Sequence, residues 1–391
     1  MRVSRSDHSR LAQWWFTVDN TLLGAILILV GAGLILSLAA SPAVAEKKGL
    51  ATFYFVQRHF VFAGAGVIVM LAVSLLDRAG VRRFALLLFA VSMAGLVAVN
   101  LSGAEINGAR RWLRISGYSL QPSELAKPAF AVLMAWLFAE AQRRRDMPAL
   151  ALAVGIGAVF AGLLVMQPDV GQTLLIGVVW WALFFLSGQP IIGAVGLAFV
   201  GTLGLGAGYN IFPHVASRVD RFLAPNVGDN TQVSRAIQSF TEGGFFGRGP
   251  GEGTIKTILP DAHTDFIFAV VAEEYGVIAC LVLLGVFALI VLRAFMAAAR
   301  EPDAATRLAI QALALLFGFQ ALINMAVNVG LIPAKGMTLP FISAGGSSTI
   351  AISITLGMIL ALTRRRSDFA HLKKPRFHPR VDLGGEFGAR S

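Results

Sequence analysis

Charged residues are scarce in this 391-residue sequence, and cysteine is almost absent. Asp, Glu, Lys and Arg together make up 14% of the chain, whereas 56% of the residues are hydrophobic. Soluble domains carry roughly one quarter charged residues, so this composition favours a protein that uses lipid as its solvent. The one cysteine, Cys280, lies inside an apolar run, and a single cysteine excludes an intramolecular disulfide.

The sequence also lacks the spacings of common metal sites. Its six histidines are scattered, and no Cys/His cluster has zinc or haem spacing. The formal net charge of +11 could indicate a nucleic-acid partner. Most of the basic residues, however, flank apolar runs, where they mark membrane topology. We therefore expect a membrane protein that binds no nucleic acid.

Ten apolar runs are long enough to cross about 30 Å of hydrocarbon. The fourth is the weakest prediction, because it is short and contains Lys127, Pro128 and Glu140. The sequence thus predicts an all-α polytopic integral membrane protein with ten transmembrane helices. The runs lie at residues 21–40, 59–76, 84–101, 125–141, 149–166, 171–187, 190–208, 266–297, 308–331 and 345–363.

Basic residues set the orientation of these runs. With ten spans, the basic clusters at the chain ends and in alternate connections all fall on one side, which the positive-inside rule makes the cytoplasm. Both termini are then cytoplasmic, and the long connection between helices 7 and 8 is extracytoplasmic. We predict a cytoplasmic segment at 1–20, a membrane domain at 21–365 and a disordered basic cytoplasmic tail at 366–391.

Some residues of the outer connections are interpreted as ordinary loop. Arg218, Arg221 and Lys256 are expected to be solvated, since long loops escape the positive-inside rule. The segment GGFFGRGPGEG (243–253) is interpreted as a flexible loop. No strand precedes it and no Gly-Lys-Ser/Thr follows it, so it lacks the context of a nucleotide-binding loop.

Glu124 and Lys127 lie at the outer end of the fourth run, in the stretch QPSELAK. They stand three residues apart and therefore share one helix face. A structural ion pair accounts for them. The alternative is a cationic site in which Arg111 and Lys127 receive a phosphate group while Glu124 orients the lysine. Both interpretations stay open.

The stretch LPDAHTDFIFAVVAEEYG (259–276) places five ionisable groups at the mouth of the eighth run. If a helix starts near Thr264, Asp265 lies in its first turn, where an acid is favoured by the helix dipole. Glu273 and Glu274 would lie up to about 13 Å further along. A charge at that depth costs on the order of 3 kcal/mol, so structural pairing inside the bundle is expected for both glutamates. Asp265 instead lies beside His263 and faces basic outer loops.

The ninth run carries a polar stripe on one face. Gln320, Asn324 and Asn328 recur every four residues, which predicts interhelical hydrogen bonding. The next stretch, GLIPAKGMTLPFISAGGSST, is interrupted by proline and glycine. Non-helical backbone at membrane depth survives only against protein or a cavity, so an outer loop that dips towards Asp265 is expected.

Four motifs, in this chain order, resemble the SEDS family (shape, elongation, division, sporulation): NGARRWL…QPSELAK, QPDVGQT, LPDAHTDFIFAVVAEEYG and GMTLPFISAGGSS. The resemblance runs from about residue 20 to 365. PDAHTDF and the Lys335-Gly336 pair look more like the division members than the elongation members. The resemblance implies a ten-helix bundle that polymerises lipid II into peptidoglycan strands. It places this activity at the outer face of the bacterial cytoplasmic (inner) membrane, at the division septum.

The resemblance also implies site residues and partners. It places the essential carboxylate, as catalytic base, at Asp265. Substrate-binding residues are expected in the same motifs, at Gln121, Arg111, Glu124, Lys127, His263 and Lys335. The implied partners are lipid II, a class B penicillin-binding protein transpeptidase and other division proteins.

The chemistry requires few groups. The leaving group of lipid II is a polyprenyl pyrophosphate, which departs without a proton if its charge is balanced. One base and nearby cations are then sufficient. Lys127, Arg111 or a divalent cation (Mg²⁺ or Mn²⁺) could hold the pyrophosphate, although no ligand cluster in the sequence demands a metal.

Two other functions remain open from the sequence. One is a transporter that flips lipid II across the membrane, and the other is a scaffold that activates the transpeptidase. A transporter predicts functional charge along the whole path between the leaflets. The unexplained charge of this sequence is instead concentrated on the outer side, which favours the enzyme.

Overall fold

The computed structural model describes residues 10–106, 109–115, 118–144, 146–211, 213–223, 232–333 and 336–364. These residues are mostly helical. The helices are α1 (Arg10–Thr17), α2 (Asn20–Lys47), α3 (Tyr54–Ser74), α4 (Arg78–Ser102), α5 (Pro122–Arg143), α6 (Ala149–Met166), α7 (Val170–Leu186), α8 (Ile191–Ile211), α9 (Pro213–Leu223), α10 (Gln232–Gly243), α11 (Ile255–Ile258), α12 (Ile267–Ala299), α13 (Ala304–Asn328) and α14 (Gly346–Leu362). Three short antiparallel strands lie between α4 and α5: β1 (Ala104–Ile106), β2 (Ala109–Ile115) and β3 (Tyr118–Leu120).

Each of the ten predicted runs overlaps one helix, from α2 to α8 and from α12 to α14. Within the described residues, seven of these helices are long and apolar enough to cross a membrane, namely α2, α3, α4, α6, α8, α12 and α13. Two others, α7 and α14, are apolar but have only 17 residues each. The chain is therefore a multi-pass membrane protein.

Several predictions concern residues that the structure does not describe. Residues 1–9 of the predicted N-terminal segment and the whole predicted tail, 366–391, lie outside the described residues. So do Lys335 and the side chains of Arg218 and Arg221.

The centre of the bundle is formed by α5, α13 and α14. Nearly every residue of α14 is buried, as expected of a helix that is apolar on all sides. It packs closely on α3: a Cβ added at Gly357 would lie 2.7 Å from the Met70 carbonyl oxygen, so this contact requires glycine. At the other extreme, α8 buries only Ala194 and lies at the edge, against α7 and α9.

The helix α12 is interrupted at Gly276, where φ is 80° and ψ is 175°. The interruption leaves backbone groups without helical partners, and residues 243–249 supply new ones. We call these residues the kink clamp. Four backbone hydrogen bonds join it to α12: Arg248 N to Glu273 O (2.9 Å), Gly249 N to Glu274 O (3.0 Å), Val277 N to Gly244 O (3.0 Å) and Ile278 N to Phe245 O (3.3 Å).

Glycines make this close approach sterically feasible. A Cβ at Gly243 would lie 2.0 Å from the Ala272 carbonyl oxygen, and one at Gly247 would lie 2.2 Å from that of Glu274. The interpretation of 243–253 as a flexible loop was therefore wrong for the kink clamp. The reason is physical, because a kinked helix in lipid must have its freed backbone groups satisfied by protein.

Glu273 and Glu274 are both buried and both paired, as predicted, but their partners come from residues 254–256, which precede α12. The Glu273 carboxylate accepts three backbone N–H bonds at the start of α11, from Thr254 (2.6 Å), Ile255 (2.7 Å) and Lys256 (3.1 Å). The Glu274 carboxylate pairs with the Lys256 ammonium. Lys256 is only 8% exposed, so the prediction of a solvated lysine was wrong. A buried glutamate needs a cation, and Lys256 supplies it.

Replacing Gly276 by alanine is expected to lower the thermal unfolding temperature of the detergent-solubilised protein. A left-handed φ costs a residue with a Cβ about 1–2 kcal/mol. The new Cβ would also meet the Phe245 carbonyl oxygen at 2.2 Å. Gly285→Ala is the matched control, since its Cβ would have nothing within 4 Å in the same helix. Equal unfolding temperatures for the two variants would contradict the kink clamp.

Replacing Glu274 by glutamine is expected to destabilise the protein, because it leaves the buried Lys256 ammonium without its counter-charge. Breaking a buried pair in this way costs about 3–5 kcal/mol. Adding Lys256→Met should recover part of the loss in unfolding temperature. Glu242→Gln is the control, since Glu242 pairs with Arg248 at the surface, where an ion pair contributes about 0–1 kcal/mol. A Glu274→Gln protein as stable as the control would refute the buried pair.

Candidate functional site

Asp265 lies in a turn that precedes α12. The helix begins at Ile267, with Phe266 as its N-cap residue, so the predicted start near Thr264 was wrong. The cause is Asp261, which adopts a φ of 53°. Its carbonyl oxygen accepts the N–H groups of Thr264 (3.0 Å), Asp265 (3.1 Å) and Phe266 (3.3 Å). This tight turn leaves the Asp265 side chain partly exposed, just outside the helix.

The turn is held by its carbonyl oxygens. Those of residues 263, 264 and 265 each accept a hydrogen bond from residues that are distant in sequence. The donors are Ala344 N to His263 O (3.0 Å), Ser343 Oγ to Thr264 O, and the side-chain amides Asn324 Nδ2 (2.9 Å) and Asn328 Nδ2 (3.0 Å) to Asp265 O. The main chain that carries Asp265 is thus fixed on three successive peptides.

The polar stripe of α13 makes interhelical bonds, as predicted, and it also holds loop backbone. Asn328 Oδ1 accepts the N–H of Ala269 in α12 at 3.0 Å. Asn324 Nδ2 donates to the Met337 carbonyl oxygen at 2.6 Å, and Gln320 Nε2 donates to that of Thr338 at 3.2 Å. The stripe therefore fastens the segment after α13 beside the Asp265 turn.

That segment passes directly by the Asp265 carboxylate. A Cβ added at Gly336 would lie 3.3 Å from Asp265 Oδ2. This approach confirms that the loop after α13 lies near Asp265, while its position at the outer side of the membrane stays a prediction. Lys335, the next residue and a predicted substrate contact, lies outside the described residues.

Glu124 and Lys127 form a buried ion pair near the start of α5. Lys127 Nζ donates to Glu124 Oε1 at 2.9 Å and to Gln320 Oε1 at 3.0 Å, and the lysine is only 2% exposed. Gln172 Nε2 also donates to Glu124 Oε1, at 2.6 Å. The ion-pair interpretation is confirmed. A phosphate could reach Lys127 only if these contacts rearranged, so phosphate binding there stays a prediction.

The space beside this pair is small. A cavity of about 10 Å³ is bordered by Glu124, Lys127, Gln320 and Thr355. That volume holds one water molecule. This cavity is therefore too small to hold a sugar.

Arg111 and Gln121 meet at Asp169, the N-cap residue of α7. Arg111 lies 3.8 Å from the Asp169 carboxylate and donates to the carbonyl oxygens of Gln167 (3.1 Å) and Pro168 (2.5 Å). Gln121 Nε2 lies 3.4 Å from Asp169 Oδ2. Burial raises the pKa of Asp169, while the Arg111 guanidinium opposes that rise. Sequence analysis did not select Asp169, although the quoted QPDVGQT motif contains it.

His263 is buried, and its surroundings lower the pKa of its imidazole. Burial, followed by the nearby Lys48 ammonium, lowers the pKa of His263 to about 4, and Asp261 opposes this shift. Its ring lies 4.5 Å from that of Phe55, centroid to centroid. At pH 7 His263 is therefore an uncharged imidazole, which suits hydrogen bonding to a sugar better than neutralising a pyrophosphate.

Two further cations, Lys48 and Arg58, were not selected from the sequence. Both lie in the connection between the first two predicted runs, which was not considered among the outer loops, and Lys48 is close enough to His263 to affect its pKa. Lys48 Nζ stands 5.4 Å from the centre of the Phe55 ring, and Arg58 stands 5.7 Å from that of Phe62. The other outer cations were selected because the positive-inside rule did not explain their charge. The same criterion applied to these two residues.

The predicted site residues thus fall into two groups. Arg111, Gln121, Glu124 and Lys127 are joined through Asp169 and Gln172, whereas Asp265 and His263 share the turn before α12. The stripe on α13 connects the groups, because Gln320 binds Lys127 and Asn324 binds Asp265. A carboxylate held on a fixed turn can accept a proton from a substrate hydroxyl.

A metal site is not evident in the part of the chain that the structure describes. Among those residues, no group of three or more His, Cys, Asp or Glu side chains could hold a metal ion.

Relatives of known name match almost the whole chain. A probable peptidoglycan glycosyltransferase FtsW of Caulobacter vibrioides is 46% identical over 364 residues, which cover 93% of each chain. A protein of the same name from Trichlorobacter lovleyi is 35% identical over 371 residues, 90% of this chain and 94% of its own.

Solved structures agree with these relatives. One, described as a peptidoglycan synthase complex that coordinates polymerization and crosslinking, is 30% identical with a TM-score of 0.73, covering 89% of this chain and 98% of its own. The rod shape determining protein RodA of Thermus thermophilus is 27% identical with a TM-score of 0.62, covering 89% and 97%. The model of the FtsW, RodA and SpoVE family, described as cell cycle proteins, matches residues 20–368, and the chain belongs to this family.

Proposed function

We propose that this chain is a peptidoglycan glycosyltransferase that polymerises lipid II during septal cell-wall synthesis. The observation that carries the proposal is the Asp265 carboxylate, partly exposed on a turn whose three peptides are fixed. Relatives named as probable peptidoglycan glycosyltransferases support the activity, and their name FtsW supports the septal role.

The proposal includes a topology. All ten helices that overlap the predicted runs cross the membrane, both termini are cytoplasmic, and α9 to α11 lie in the long outer connection between the seventh and eighth spans. Positive residues in the alternate connections support this orientation. It places Asp265 at the outer face, where lipid II carries its sugars.

In the proposed reaction, Asp265 acts as the general base. Its carboxylate accepts the proton of the acceptor sugar hydroxyl as the hydroxyl oxygen bonds to the anomeric carbon of the donor. The bond from that carbon to the pyrophosphate breaks on the opposite face, with inversion. The leaving pyrophosphate needs no proton, so a second carboxylic acid, as in glycoside hydrolases, is not required.

Cations balance the charge of the leaving pyrophosphate in this proposal. Arg111 and Lys335 are the proposed direct contacts, because Arg111 remains partly exposed beside Asp169. Lys127 and Glu124 contribute from the buried pair, and their direct contact with substrate requires the rearrangement described above. Gln121 and the neutral His263 are proposed to bind polar groups of the substrate.

The proposed protein partner is a class B penicillin-binding protein, a transpeptidase that crosslinks the new strands, together with other division proteins. The solved complex that coordinates polymerization and crosslinking supports such a pairing. The proposed location of this pairing is the division septum of the inner membrane, and the name FtsW of the relatives supports it.

Replacing Asp265 by asparagine is expected to abolish strand synthesis. Asparagine keeps the size of the side chain but cannot take up the proton, and a general base contributes typically about 10²–10⁴-fold in rate. The measurement is polymerisation of fluorescent lipid II by purified protein with its cognate transpeptidase. The unfolding temperature of the variant, measured in parallel, checks that the protein is folded.

Asp220→Asn is the matched control, because Asp220 pairs with Tyr209 on the surface of the outer connection. It should polymerise lipid II at the wild-type rate. Long strands from a folded Asp265→Asn protein would refute the proposed base. If neither wild type nor variant made strands but vesicles containing either protein flipped lipid II, the transporter would be the better account.

A further inference from the structure

The polar stripe of α13 binds backbone carbonyl groups on two sides of the proposed base. On one side, Asn324 and Asn328 each donate a side-chain N–H to the Asp265 carbonyl oxygen, at 2.9 and 3.0 Å. On the other side, Asn324 also donates to the Met337 carbonyl oxygen at 2.6 Å, in the segment whose Gly336 approaches the Asp265 carboxylate. One helix therefore sets both the peptide that carries the carboxylate and the backbone beside it.

We propose that Asn324 and Asn328 are positioning residues for the Asp265 carboxylate. The inference rests on the proposed function, in which Asp265 is the base. Neither asparagine is assigned a contact with substrate. Each acts through Asp265, by fixing the orientation of its peptide.

The geometry makes this anchor strong. A carbonyl oxygen has two lone pairs, and here both are engaged by amide donors from one helix. Asn324 is 1% exposed and Asn328 is fully buried, so water does not readily replace either donor. With the peptide fixed, the position of the Asp265 carboxylate depends on the rotation of two side-chain bonds.

Asn328 adds a link to the start of α12. Its Oδ1 accepts the Ala269 N–H at 3.0 Å, while its Nδ2 holds the Asp265 carbonyl. The same side chain thus sets the distance between the turn and the first residues of the helix. Losing it would let the turn shift relative to the helix even if the bundle stayed folded.

A positioning role has a kinetic consequence. A displacement of about 1 Å at a reacting group can cost about 100-fold in rate. Substrate affinity, by contrast, depends on residues that touch lipid II. The expected signature is a fall in kcat with little change in KM, in a protein that still folds.

Asn324→Leu and Asn328→Leu test this, because leucine has a similar size and no donor. Polymerisation of fluorescent lipid II, with the cognate transpeptidase present, gives kcat and KM for each variant. We expect kcat to fall about tenfold to 100-fold, as for a displaced reacting group, with KM within about twofold of wild type. Asn100→Leu is the matched control, since Asn100 lies near the C-terminal end of α4 and its Nδ2 has no hydrogen-bond partner among the described residues; this variant should keep the wild-type kcat.

A second pair of variants covers failure to fold. Ser343→Ala removes the hydroxyl that donates to Thr264 O and accepts the Leu339 N–H, and Asn324→Gln retains an amide that can donate to the turn. We expect Ser343→Ala to lower kcat, and Asn324→Gln to retain more activity than Asn324→Leu. Folded variants with wild-type kcat would overturn the inference, as would a loss confined to KM.

Asp265→Asn, measured in the same series, separates the two proposals. If Asp265→Asn is inactive and the asparagine variants keep wild-type kcat, the positioning role fails while the proposed base stands. If Asp265→Asn retains wild-type activity, the proposed base fails and the positioning role fails with it.

Discussion

Backbone polar groups are the constraint on which this structure depends. Lipid offers them no partners, so every interruption of a membrane helix must be satisfied by the protein itself. The break at Gly276 and the turn before α12 both follow this rule. The kink clamp fills the break at Gly276, and the α13 asparagines hold the turn at Asp265. Both are built from side chains or glycines that a soluble loop would not need.

The same constraint explains why a carboxylate can be held still at the mouth of a helix. The turn before α12 is fixed from α13 and from residues 343 and 344, while the far end of the short helical stretch 267–275 is fixed by the kink clamp. Lys256 neutralises the buried Glu274, and backbone N–H groups of residues 254–256 satisfy the buried Glu273. Asp265 differs from these two glutamates because it is partly exposed.

Sequence reasoning succeeded where a single local pattern decides the structure. Long apolar runs predicted the helices, and the four-residue spacing of Gln320, Asn324 and Asn328 predicted their hydrogen bonding. It failed where distant backbone decides. The kink clamp depends on glycines that approach the α12 backbone closely although they lie far from it in sequence. The burial of Lys256 depends on Glu274, eighteen residues away. The importance of Asp169 likewise appears only when Arg111 and Gln121 converge on it.

The most direct test is a structure of the complex with the transpeptidase, bound to a non-hydrolysable lipid II analogue. The account predicts that the acceptor hydroxyl lies within about 3.2 Å of the Asp265 carboxylate. It also predicts that Asn324 and Asn328 still hold the Asp265 carbonyl in that complex. Sugars bound away from Asp265, or a turn released from α13, would contradict it.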